Sequence, residues 1–139
     1  MRRGLGRGRT LIGIGSTVAI IGLPLPWLKV GGVVLSAQTA SGFEGGGVLV
    51  FLASVAMLAL IVLPFTTRSG RASFDRPVAY LGLLAMGLTG LGMAVLNLLG
   101  TEGVSLPPTD VPGIWLAGAG MVLVTWGVAE LFAERSSSR

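Results

Sequence analysis

Four long apolar stretches limit what this chain can fold into. They cover residues 11–28, 48–65, 78–99 and 114–132. Each has about the length that a helix needs to cross the hydrocarbon core of a bilayer, roughly 17–25 residues. None contains Lys, Arg or Asp, and Glu130, near the end of the last stretch, is the one acid among them. Nine of the ten basic residues fall in the N-terminal tail, between the second and third stretches, or after the fourth. In a four-span protein those segments share one side, and clustered positive charge marks the cytoplasmic side. The expected architecture is an all-α membrane protein: a four-helix transmembrane bundle, N-in and C-in, forming a single domain over residues 1–139. The expected location is the plasma (inner) membrane.

Composition narrows the chemistry. The chain holds no Cys and no His. Disulfides, thiolate metal sites, His-ligated haem and imidazole bases are therefore excluded. No catalytic, cofactor-binding or metal-binding residues are expected. The formal charge of +4 would suit nucleic acid. However, the arginines flank apolar spans and do not form a basic face with stacking aromatics, so no nucleic acid is expected. Anionic lipid headgroups fit them better, at about 1 kcal/mol per basic residue near the surface.

The first span ends in Leu-Pro-Leu-Pro-Trp. Pro24 and Pro26 remove backbone donors from its last turns. Trp27 and Trp115 are placed at the outer headgroup level, where amphipathic rings are favoured, with Lys29 snorkelling to the same interface. A cleaved signal peptide with small residues at 36–40 is the rival reading of this region, but the apolar run is long for one. Gly31-Gly32 between β-branched runs predicts a short β-hairpin in the first outer loop, with residues 33–39 as its second arm. The C-terminal tail, 136–139, is expected to lack order.

Few side chains inside the spans carry chemistry. Glu130 lies about one turn from the inner boundary and is expected to pair with Arg135. Asn97 lies near the outer end of the third span, where it can bond across helices. These two are the possible polar site. Intramembrane Thr and Ser can bond their own helix carbonyls. Small residues recur four apart, as in Gly90/Ala94 and Gly113/Ala117, with Gly87 nearby. That spacing lets helices approach closely, either within the bundle or against a partner.

The layout resembles that of the small four-span membrane proteins widespread in actinobacteria. The resemblance rests on Leu25-Pro26-Trp27 closing the first span and on the glycine run 45–47 ahead of the second. It implies a fold and a compartment, and no activity. The expected function is non-enzymatic: a scaffold or accessory subunit of a membrane complex, bound to other membrane protein subunits. The alternative is a small transporter or channel working as a homo-oligomer. A polar cavity lined by Asn97, Thr89 and Thr125 would favour transport.

Overall fold

The computed structural model describes residues 6–30, 38–66, 76–100 and 111–137. Four helices account for most of them: α1 (Arg7–Gly22), α2 (Gly47–Thr66), α3 (Arg76–Leu99) and α4 (Pro112–Ser137). Between α1 and α2 lie two strands, β1 (Pro26–Val30) and β2 (Gln38–Ser41), and a short 3-10 turn, Gly42–Glu44. Two helices, Val78–Leu99 and Pro112–Ser137, are long and apolar enough to cross a membrane; Gly47–Leu63 is apolar but shorter.

α1 packs chiefly on α4, and α2 chiefly on α3. α1 begins earlier and ends earlier than its apolar stretch. It includes Arg7 and Arg9 and stops at Gly22, six residues short of the expected limit. At about 1.5 Å per residue it is roughly 24 Å long, less than the ~30 Å core of a bilayer. The proline pair explains the early end. Pro24 and Pro26 cannot donate backbone hydrogen bonds, so the chain turns into β1. α4 runs past its expected end and takes in Ser136 and Ser137. Their hydroxyls donate to the carbonyls of Ala133 and Glu134, at 2.9 and 3.0 Å.

Glycines at a spacing of seven set the α1–α4 seam. Gly8, Gly15 and Gly22 on α1 meet Gly127, Gly120 and Gly113 on α4, in antiparallel order. A Cβ on Gly8 would lie 2.8 Å from the Gly127 carbonyl oxygen, and one on Gly22 the same distance from that of Gly113. No real Cβ fits there, so backbone touches backbone. Ile12, Ala19, Ala117 and Val124, all fully buried, pack beside the glycines. The second seam is shorter. Gly46 and Gly90 abut, and Gly87 lies beneath Met121 Sδ and Ala53 Cβ. The buried core then runs through Val50, Ala53, Met57, Tyr80, Leu84 and Met121.

The strands pair antiparallel, with Val30 opposite Gln38 and Pro26 opposite Ser41. A two-residue turn at Gly31-Gly32 would instead set Val30 opposite Val33. Of the expected second arm, 33–39, Gln38 and Thr39 are among the described residues and lie in β2; residues 31–37, the expected turn included, lie outside them. The register is set at the foot of the pair. There the Gly42 amide donates to the Leu23 carbonyl at 3.0 Å, and an irregularity falls between Pro26 and Leu28.

Candidate functional site

The polar and interfacial residues singled out in the sequence are not gathered in one place. Trp27 is a core residue, only 5% exposed, and not an outward-facing interface ring. Its indole N–H donates to the Gly22 carbonyl at 2.9 Å. Helix ends leave carbonyls without helical partners, and this bond satisfies one of them. The ring fits between two glycines. A Cβ on Gly42 would come within 2.7 Å of it, and one on Gly113 within 2.5 Å. Trp115 is 55% exposed near the start of α4. Lys29 lies in β1, and its side chain is outside the described residues.

Glu130 is half-buried on α4 and accepts a hydrogen bond from Trp126 Nε1 at 3.2 Å. Trp126 itself is 57% exposed. The pair is one turn apart on an outward face, far from the end of the bundle that holds Asn97. Thr17, Thr89 and Thr125 donate to the carbonyls four residues earlier, at 2.7–2.8 Å. Asn97 lines the smaller of the two hollows described below, and Thr89 and Thr125 line neither. Two serines are fully buried, Ser16 on α1 and Ser54 on α2. Ser16 Oγ donates to Met57 Sδ at 3.6 Å, whereas Ser54 Oγ finds no partner.

Gly90, Gly113 and Ala117 are buried where helices cross, and Gly87 beside them contacts α2 and α4 side chains. Ala94 is half-buried next to Gly46. A spacing of four does not pick out the seven-residue glycine repeat of α1 and α4, whose signal in the sequence is the spacing 8, 15, 22 and 113, 120, 127.

Two hollows lie at the end of the bundle where α1 stops and α4 starts. A pocket of about 140 Å³ has Ser41, Asn97 and the glycines at 45–47 in its walls. An apolar groove of about 610 Å³ runs between α3 and α4, walled by Leu91, Val95, Leu99, Trp115 and Val122 among others. Leu98 and Ile114 line both hollows. Among the described residues there is no group of His, Cys, Asp and Glu that could hold a metal ion. Comparison with protein-family models, with curated proteins and with solved structures finds no match to this chain.

Proposed function

We propose that this chain is a four-span protein of the plasma membrane, with both termini in the cytoplasm. It acts without catalysis, as a scaffold or accessory subunit that holds a partner's transmembrane helix against α3. The antiparallel order of the helices supports the topology. The start of α1, the end of α2, the start of α3 and the end of α4 lie at one end of the bundle, and nine of the ten basic residues fall in the sequence segments at or next to those four helix ends.

One observation carries the partner reading. Gly82, Ala85, Thr89 and Gly92 form an exposed stripe along α3. A Cβ on Gly82 or Gly92 would meet nothing within 4 Å, whereas at the seams every glycine is filled by a neighbouring helix. Small residues on a lipid-facing surface let another helix come close. The Thr89 hydroxyl is satisfied by its own helix and offers no polar group that needs water. The scattering of Thr89, Thr125 and Asn97 weighs against a transport pathway through the chain.

The test is gentle detergent extraction of the tagged chain and identification of what comes with it. A stable companion complex is expected. Gly82→Leu together with Gly92→Leu should release the companion and leave the thermal midpoint of the isolated chain unchanged. A homogeneous homo-oligomer, dispersed by the same changes, would replace this reading with the channel or transporter alternative.

A further inference from the structure

We infer that the two adjoining hollows form one lipid site, with an acyl chain in the α3–α4 groove and the glycerol-ester region of the same lipid in the polar pocket. The inference rests on the membrane reading above and uses a different surface from the α3 stripe. Three observations carry it.

The first is length. Along α4 the groove extends from Val111 to Val122. Eleven steps of 1.5 Å make about 16 Å, which is one leaflet, half of the ~30 Å hydrocarbon core. The second is contrast. The groove walls are apolar apart from the Trp115 indole N–H, while the pocket offers Ser41, Asn97 and glycine backbone. The third is contiguity. Leu98 and Ile114 wall both hollows, so the polar end adjoins the outer end of the apolar one. Apolar along one leaflet and hydrogen-bonding at its end is the profile of a glycerolipid. The described lining residues include no ionisable side chain. The groups that the described lining offers, Ser41, Asn97 and glycine backbone, recognise a lipid by hydrogen bonds and shape, and an uncharged head is expected to bind as an anionic one does.

The experiment uses the full chain in dodecyl maltoside micelles, titrated with dioleoylglycerol and with dioleoylphosphatidylglycerol. Native mass spectrometry reads the fraction that carries one lipid. Both probes should bind with similar affinity, and molar salt should not weaken either. A Cβ on Gly118 would meet nothing within 4 Å, so Gly118→Leu fills the groove without a backbone clash. It should weaken both lipids about tenfold, as should Ala119→Leu. Asn97→Ala should weaken dioleoylglycerol by about three- to tenfold, the loss of one hydrogen bond. Val55→Leu, exposed on α2 and outside both hollows, should bind like wild type. Unchanged occupancy in both groove-filling variants overturns the site, as does equal loss in Val55→Leu. Phosphatidylglycerol binding that is far tighter and salt-sensitive overturns the uncharged recognition. Flotation with phosphatidylcholine vesicles separates the two readings. A chain that does not float loses the membrane reading and the site together, whereas one that floats with occupancy unmoved by Gly118→Leu loses only the site.

Discussion

Gly15 and Gly120 face each other across the α1–α4 seam so closely that a Cβ on either would lie 2.5 Å from the other's carbonyl oxygen. Gly120→Leu should therefore force the helices apart and break the packing of Ala19 beside it. Overpacking of this kind costs about 1–3 kcal/mol. Thermal melting in detergent should show the loss, with Gly118→Ala as an unaffected control. A Gly120→Leu chain that melts like wild type would mean that the seam does not form.

Trp27 joins α1, the strand pair and α4. Trp27→Phe keeps most of the ring and removes the donor to the Gly22 carbonyl. The expected cost is about 0.5–1.5 kcal/mol, one hydrogen bond. Trp27→Ala should cost about 3–5 kcal/mol, because it also empties the space between Gly42 and Gly113. Equal melting of the Phe and Ala variants would refute the packing role.

Ser54 buries a hydroxyl with no hydrogen-bond partner. A desolvated polar group left unpaired is costly, so its removal should not hurt. Ser54→Ala is expected to be neutral or stabilising by about 1 kcal/mol. A clear loss of stability would show that the hydroxyl is engaged after all, and a melting curve decides.

Glu130 accepts from Trp126 on an outward face of α4. Glu130→Gln keeps an acceptor oxygen and should change stability by about 0–1 kcal/mol, as for an exposed pair. A deletion strain carrying Glu130→Gln should behave as if it carried wild type. If a normally expressed Gln variant behaved like the deletion, proton coupling at Glu130 would become the better reading.

Reporter fusions at Gly70 and after Arg139 should read cytoplasmic, and fusions at Ser41 and Thr109 external. An external C-terminus would overturn the four-span topology.

The helices were legible in the sequence because three of them follow from apolar length alone. The ends of α2 and α3 fall within two residues of the expected limits. Apolar length overextends α1 to residue 28, because hydropathy does not register what Pro24 and Pro26 do to a helix. The fate of Trp27 was hidden for a related reason. A tryptophan after a span suits the interface, and nothing local reveals that Gly42 and Gly113 leave a slot for its ring. Spacing of four drew attention to α3 and α4, while the seam that closes the bundle uses spacing of seven and pairs the first helix with the last. Asn97 was found by its type. The hollow beside it was not, because it is made of backbone and of residues from distant parts of the chain.

Because α1 closes on α4, that seam must wait until α4 has been made. α2 and α3 are neighbours in the chain and pair across a short connection. α1 precedes them and holds its glycine-lined face without a mate until residue 127 has emerged. Contacts between distant parts of a chain form late, since their loop must close before they stabilise anything. A chain cut before Pro112 is therefore not a smaller version of this fold. It keeps the α2–α3 pair and the contacts of α1 with α2, but leaves the glycine face of α1 bare.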